Sequence, residues 1–190
     1  MVGMGSIGSD IARMAIQGFQ MHVLGLRSTS SEIPSPLKAM EGGGPGQIEM
    51  VSPNKDGMAK LLRESDYVVL CMPQTNDSVH TIGASELASM KSSAVIANVG
   101  RGSAIDCVAL AEALREGQIH GAALDVVEQE PLDAVHPLWQ VGPDKLLLSP
   151  HTADLTEDYW PSSVAAFRAN LKRMVEGEPL VAVVNPSKGY

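Results

Sequence analysis

The chain has 190 residues, 44% of them hydrophobic, and a net charge of −8, which suits one domain with a short addition. Its 22 acidic residues outnumber 14 basic ones, so we expect no nucleic-acid partner and no binding to anionic membranes. No apolar run reaches the ~18 residues of a membrane span. The two cysteines lack metal-ligand spacing, so we predict no metal site and free thiols in a reducing, cytoplasmic setting.

Short runs rich in Val, Leu and Ile recur along the chain and are typical of buried strands. They span residues 22–26, 67–72, 94–99, 121–127 and 145–149, with a fainter run at 47–51. Amphipathic segments separate them, and apolar runs that alternate with helices are typical of parallel strands covered on both faces. The sequence therefore predicts an α/β fold with a doubly wound parallel sheet.

The first predicted helix has an apolar stripe made of Ile7, Ile11, Met14 and Ala15, and Gly18 is expected to end it. After it, residues 28–47 combine two prolines with a glycine-rich run at 42–46. This composition predicts a flexible surface loop.

Later helices are marked by their ends. Asp106 is suited to cap a helix that buries Cys107 on its apolar face and stops at Gly117. Shorter helices are predicted over 58–64 and 85–90. A longer one is predicted over 156–176, because Pro161 is tolerated in a first turn.

Three glycines, Gly3, Gly5 and Gly8, fit the pattern G-x-G-x-x-G at the start of the first helix. The first makes a tight turn, the second admits a pyrophosphate, and the third lets helix and strand pack closely. Ser6 and Ile7 then open the helix, whose N-terminus offers unpaired N–H donors. Glycine triplets also occur in ordinary turns, but the position before this helix favours a dinucleotide site.

The residues after the second strand indicate which dinucleotide is bound. An acidic residue about 20 positions beyond the glycines would accept hydrogen bonds from the ribose 2′-hydroxyl. Here Arg27, Ser28 and Thr29 occupy that place. A guanidinium with neighbouring hydroxyls suits a 2′-phosphate, so we predict NADP(H) in preference to NAD(H). The alternative is an exposed loop arginine.

Ligands of open α/β sheets bind beyond the carboxyl ends of the strands. The residues at these ends are Met72 and Pro73, Val99 to Gly102 around Arg101, Asp125 to Glu130, and Ser149 to His151. An arginine, carboxylates and a histidine are thus predicted in one cleft, although Arg101 could also be a solvated loop charge. Spacing alone does not choose between Glu128 and Glu130. The other histidines, His22, His80, His120 and His136, are predicted surface or packing residues.

Several ordered motifs carry a family resemblance. They are ANVGRG at 97–102, ALDV at 123–126, Glu130-Pro131, SPH at 149–151 and GEPL at 177–180. Together they resemble the D-isomer-specific 2-hydroxyacid dehydrogenases, which include glyoxylate and hydroxypyruvate reductases, over the chain from Gly3 to Tyr190. The resemblance implies an NAD(P)-dependent oxidoreductase, built on a Rossmann-like domain, that moves a hydride between nicotinamide and a small 2-oxo or 2-hydroxy acid.

The resemblance also implies residue roles. Arg101 would bind the substrate carboxylate, His151 would exchange the proton, and Glu130 would pair with His151, because the family's catalytic acid directly precedes proline. Asp125 would face the nicotinamide carboxamide, while Met72, Pro73, Val99 and Gly100 would line the cofactor cleft. Family members commonly form homodimers, so a homodimer is expected.

We expect residues 1–150 to form the dinucleotide-binding domain and residues 151–190 a helical return segment. Since only Met1 and Val2 precede Gly3, we expect no counterpart of the family's N-terminal substrate lobe in these 190 residues. The central strand would be curtailed, leaving its neighbours with unpaired backbone groups. Three readings stay open: part of a longer enzyme, a cofactor-binding module or corepressor-like protein, and an inactive relative.

Overall fold

The computed structural model describes residues 1–28 and 30–185. Six strands are present, each within one of the predicted runs: β1 (Val23–Gly25), β2 (Ile48–Met50), β3 (Tyr67–Leu70), β4 (Val95–Asn98), β5 (Gly121–Leu124) and β6 (Leu146–Leu148). They form a two-stranded group, β1-β2, and a four-stranded group, β3-β4-β5-β6, and every pairing is parallel. The predicted parallel α/β fold is confirmed.

The first two residues join the two groups into one sheet. Val2 is fully buried and bridges in parallel to Leu26 on one side and Leu70 on the other. Its N–H donates to the Val69 carbonyl at 2.8 Å, and its carbonyl accepts from Cys71 N–H at 2.8 Å. The expected unpaired groups are therefore not found beside Val2, because alternate backbone groups of even a very short strand serve opposite neighbours.

The described residues contain five α-helices, four before the last strand and one after it: α1 (Ser6–Phe19), α2 (Lys55–Glu64), α3 (Ala84–Ser89), α4 (Cys107–Glu116) and α5 (Tyr159–Glu176). The predicted ends of α4 are confirmed, since the Asp106 side chain accepts from two backbone N–H groups and Gly117 takes a left-handed conformation. Gly177 ends α5 in the same way. Among the described residues, none of the helices is long and apolar enough to cross a membrane.

The predicted stripe of α1 was wrong at two of its four positions, because Ile11 and Ala15 pack against buried core residues but Ile7 and Met14 are exposed. Ile7 and Met14 are 60% and 53% exposed, whereas Gly8, Ala12 and Ile16 are buried. The helix rests on small residues because they let its backbone come close to the sheet and to the loop before it. It also continues through Gly18 and ends one residue later.

The prediction of a flexible surface loop over residues 28–47 needs a similar correction. It contains a 3-10 helix, Ser35–Met40, and it buries Ile33 and Leu37. Both side chains join a small core with Met4 and Ile48 beneath α1. A larger core lies between the four-stranded group and α2, α3 and α4, and it includes the free thiol of Cys107.

Candidate active site

The three glycines at the start of α1 meet different surroundings. A Cβ on Gly3, whose φ is +96°, would lie 2.8 Å from the Cys71 carbonyl group, and one on Gly8 would lie 2.0 Å from the Gly3 oxygen. A Cβ on Gly5 would meet nothing within 4 Å. Gly3 and Gly8 are therefore required by packing, whereas Gly5 keeps open the approach to the first turn of α1, which lacks a side-chain cap.

A cavity of about 380 Å³ opens at this turn. Its lining includes Gly5, Ser6 and Arg27, together with Ser9 and Asp10. The structure thus brings the glycine loop and the predicted 2′-phosphate residue to one site. Ser28 is exposed next to Arg27, and Thr29 lies outside the described residues.

The charges at the cavity favour an anion at one end. Arg27 forms no ion pair with any described residue, so its guanidinium is free to bind a ligand. The Asp10 carboxylate, in contrast, is paired with Arg13 at 3.3 Å. Uncapped N–H groups and a free cation are what a phosphorylated ligand requires, so these residues fit a dinucleotide phosphate.

The ends of β3 and β4 lie side by side next to the glycine loop. Val99 N–H donates to the Leu70 carbonyl at 3.2 Å, and a Cβ on Gly100 would lie 2.7 Å from the Met72 oxygen. Pro73 follows Met72 and is exposed. The residues predicted to line the cofactor cleft therefore share one edge of the sheet.

The loop that carries Arg101 is held by Asn98, a residue that the sequence analysis did not single out. The Asn98 side chain is fully buried, its Oδ1 accepts from Gly100 N–H at 3.0 Å, and its Nδ2 donates to the Arg101 carbonyl at 2.9 Å. The available signal was a polar residue at the end of an apolar strand. Because both ends of the amide are used, the loop has one favoured shape.

Arg101 is exposed on this loop. Its Nη1 donates to the Gly100 carbonyl at 2.8 Å, and no described residue forms an ion pair with it. A guanidinium anchored at one nitrogen keeps further donors for a carboxylate.

His151 and Glu130 form a direct pair. The Nδ1 atom of His151 lies 2.8 Å from Glu130 Oε2, while Glu130 Oε1 accepts from Val127 N–H at 3.1 Å. Because a carboxylate only accepts, Nδ1 carries the proton and Nε2 is the nitrogen left to exchange one with a ligand. The structure thus brings Glu130, rather than Glu128, to the predicted acid–base residue.

The same pair sets the protonation of the histidine. The hydrogen bond to Glu130 and then its negative charge raise the pKa of His151, with a smaller contribution from Asp125, and the nearby positive charge of Arg101 opposes them. In return, the hydrogen bond from His151 holds the pKa of Glu130 below its ordinary value. These effects favour an imidazolium beside a carboxylate at neutral pH.

Asp125 holds the turn on which His151 stands. It is buried, and its carboxylate accepts from the Ser149 hydroxyl at 2.5 Å and from the N–H groups of Thr152 and Ala153 at 2.9 and 3.0 Å. Burial alone would raise the pKa of Asp125, but these hydrogen bonds outweigh it and the pKa is lowered. A contact with the nicotinamide carboxamide stays a prediction.

His80, which was predicted to be a surface or packing residue, has a specific partner. Its Nε2 is hydrogen-bonded to Glu128 Oε1. The two carboxylates that spacing did not distinguish therefore pair with different histidines, Glu128 with His80 and Glu130 with His151.

Comparisons with known proteins show which family this chain resembles. Residues 1–153 match the family model described as "D-isomer specific 2-hydroxyacid dehydrogenase, NAD binding domain". The chain is 37% identical over 186 residues to a glyoxylate/hydroxypyruvate reductase B of Enterobacter sp. (strain 638), covering 97% of this chain and 52% of that protein. The chain thus spans about half the length of the curated relatives it matches.

Solved structures show the same likeness. A D-isomer specific 2-hydroxyacid dehydrogenase from Xanthobacter autotrophicus Py2, in complex with NADPH and MES, has a TM-score of 0.81 at 30% identity, covering 100% of this chain and 71% of that one. An NADPH-dependent glyoxylate/hydroxypyruvate reductase from Sinorhizobium meliloti, in complex with NADP and sulfate, also has a TM-score of 0.81 at 27% identity, covering 100% and 55%.

Proposed function

Because the chain belongs to the D-isomer specific 2-hydroxyacid dehydrogenase family, we propose that it carries the cofactor site and the catalytic residues for the reduction of a small 2-oxo acid. NADP(H) is the proposed cofactor, and glyoxylate or hydroxypyruvate is the proposed type of substrate. The observation that carries the proposal is the His151–Glu130 pair, which stands at the same sheet edge as Arg101 and the glycine loop. The relatives, which are named glyoxylate reductase and glyoxylate/hydroxypyruvate reductase B, support this choice.

Two charged side chains would act on the substrate. Arg101 would bind its carboxylate through paired N–H donors and polarise the neighbouring carbonyl oxygen. His151 would donate its Nε2 proton to that oxygen during reduction and accept it during oxidation. When bound, the nicotinamide supplies the hydride. Since Glu130 raises the pKa of His151, the proton donor is more populated than in an unpaired histidine.

The preference for NADP(H) rests on the cavity beside α1. Arg27 would pair with a 2′-phosphate, and the open face of Gly5 would admit the pyrophosphate to the uncapped turn of α1. The complexes of the two solved structures with NADPH and NADP support this choice. The homodimer implied by the family and the cytoplasmic location expected from the free cysteines belong to the same proposal. Sedimentation of the purified chain tests the homodimer.

Cofactor affinity tests the first half of the proposal. For the 190-residue chain we expect NADPH to bind at least tenfold more tightly than NADH, since a charge-assisted hydrogen bond contributes about 1.5–3 kcal/mol. Arg27→Asp should abolish this preference, because a carboxylate repels the 2′-phosphate. Arg63→Asp, at an exposed position in α2, serves as the control and should retain it. A wild type that prefers NADH would contradict the assignment.

Turnover tests the second half. With glyoxylate or hydroxypyruvate, His151→Ala should bind NADPH normally and lose about 10²-fold or more in kcat, since it removes the general acid. His120→Ala, an exposed histidine at the far end of β5, is the control and should keep full activity. Binding of NADPH by the wild type without turnover would instead favour the cofactor-binding module.

A further inference from the structure

The loop carrying Arg101 and the loop carrying Glu130 touch through their backbones. A Cβ on Gly102 would lie 1.8 Å from the Val127 oxygen and 2.7 Å from the Glu128 nitrogen, so only a glycine permits this approach. Val127 N–H in turn donates to Glu130. The distance between Arg101 and the His151–Glu130 pair is therefore decided where these two loops meet.

A third segment is attached to both loops. On the Arg101 side, Ile82 bridges in parallel to Ile105, Ile82 N–H donates to the Ala104 carbonyl at 3.0 Å, and His80 N–H donates to the Ser103 carbonyl at 2.8 Å. On the Glu130 side, the His80 imidazole is hydrogen-bonded to Glu128. His80 thus holds one loop with its backbone and the other with its side chain.

We propose that His80 and Glu128 are a positioning pair, which fixes the loop of Glu130 against the loop of Arg101 and so sets the geometry of the reaction site. The inference rests on the proposed function for its catalytic consequence. Neither residue contacts the reacting groups, because the imidazole of His80 is turned to Glu128 and the site's own pair is formed by Glu130 and His151.

The charges around His80 favour its hydrogen bond to Glu128. The hydrogen bond to Glu128 raises the pKa of His80, and the charges of Glu128 and Asp106 act in the same direction. The His80 and Glu128 side chains are 45% and 38% exposed, so an ion pair of this kind contributes little to global stability. Its effect is expected in the placement of the loops rather than in the melting temperature.

Two substitutions at position 80 distinguish the effect of the side-chain hydrogen bond from the effect of the backbone conformation. His80 has a φ of +49°, a conformation that asparagine tolerates well. His80→Asn therefore suits the turn but its amide is too short to replace Nε2, whereas His80→Gln places a donor near the Nε2 position. Glu128→Gln removes the charge of the partner. His22→Asn is the matched control, because His22 faces Glu49 at 4.0 Å, away from the site.

The first readout is the titration of the His151 imidazole by NMR. The groups that act on it are Glu130, Asp125 and Arg101, so a displaced Glu130 lowers the pKa of His151. We expect this decrease in His80→Asn and in Glu128→Gln, wild-type behaviour in His22→Asn, and rescue by His80→Gln. Hydrogen exchange at Val127 N–H should accelerate about two- to fivefold in the same two variants, the range for an exposed ion pair.

Turnover provides the functional readout. The kcat for 2-oxo acid reduction should fall in His80→Asn and recover in His80→Gln, while the affinity for NADPH stays unchanged. The proposal is overturned if His80→Asn and His80→Gln behave alike, or if neither His80→Asn nor Glu128→Gln alters the His151 titration. If His80→Asn does not fold, Glu128→Gln decides. A wild type without turnover would contradict the proposed function, and the titration and exchange would still decide the role of the pair.

Discussion

The strand-end loops and helix α5 differ in what holds them. The loops have irregular backbones, but buried contacts fix them: Gly102 packs against Val127, and Asn98 bonds to both sides of its loop. Helix α5 is regular over 18 residues, yet none of them is buried. Regular secondary structure and attachment to the core are therefore separate properties in this chain.

The contrast explains where the chemistry is placed. A histidine, an arginine and a carboxylate must keep fixed distances to act together, and only the loops with backbone contacts supply that constraint. In α5 the apolar residues share one face and stay exposed: Trp160, Val164, Phe167, Leu171 and Met174. The local contacts of α5 include two hydrogen bonds that join the Asn170 side chain to the Val181 backbone and an edge-to-face contact between the Tyr159 and Trp160 rings, but none reaches the core.

The contact between the two catalytic loops should give the largest effect on stability. In Gly102→Ala the new Cβ would lie 1.8 Å from a backbone oxygen of Val127, so the loops must separate. We expect a loss of about 3 kcal/mol or more in the free energy of unfolding, measured by urea denaturation. Gly5→Ala, which meets open space, should stay near wild type in stability while losing NADPH affinity. Equal stability of the two variants would remove the argument for loop packing.

Removal of the Asn98 amide should have the next largest effect on the free energy of unfolding. Asn98→Ala leaves Gly100 N–H and the Arg101 carbonyl without their buried partner, which costs about 1–3 kcal/mol per unsatisfied group. Denaturation should show this loss, and the substrate KM should rise because Arg101 is no longer held. Asn76→Ala, at an exposed position, is the control. If Asn98→Ala leaves both the free energy of unfolding and the KM unchanged, the loop keeps its shape without the amide.

Sequence patterns predict the features of this molecule that depend on neighbouring residues along the chain, such as its strands. The six strands follow from apolar runs, and the positions of Arg101 and His151 follow from the rule that ligands bind at the carboxyl ends of parallel strands. That rule left Glu128 and Glu130 undistinguished, and only the family resemblance favoured Glu130. The face of α1 was mispredicted in part, at Ile7 and Met14, because its packing also uses small residues such as Gly8 and Ala12 close to a backbone, which a hydrophobic pattern does not reveal.

Contacts between loops are the part that sequence reasoning could not reach. His80 matters through Glu128, which lies in another loop 48 residues further along the chain. Asn98 matters through the backbone of the loop that directly follows it, which bends back onto its side chain. The pairing of Val2 with Leu26 and Leu70 is of the same kind. In each case the residue type is ordinary, and its importance depends on a contact that spacing along the chain does not encode.

The smallest effect is expected on the exposed face of α5. The Phe167 side chain is 67% exposed, so Phe167→Ser removes little burial and should change the unfolding free energy by no more than about 0.5 kcal/mol. Leu110→Ala in α4 is the comparison, because Leu110 is fully buried and its loss should cost about 2–5 kcal/mol. Urea denaturation of the 190-residue chain measures both. If Phe167→Ser lowers the free energy of unfolding by more than about 1 kcal/mol, the apolar face of α5 is covered in solution. Helix α5 would then be a buried element, and the contrast with the strand-end loops would not hold.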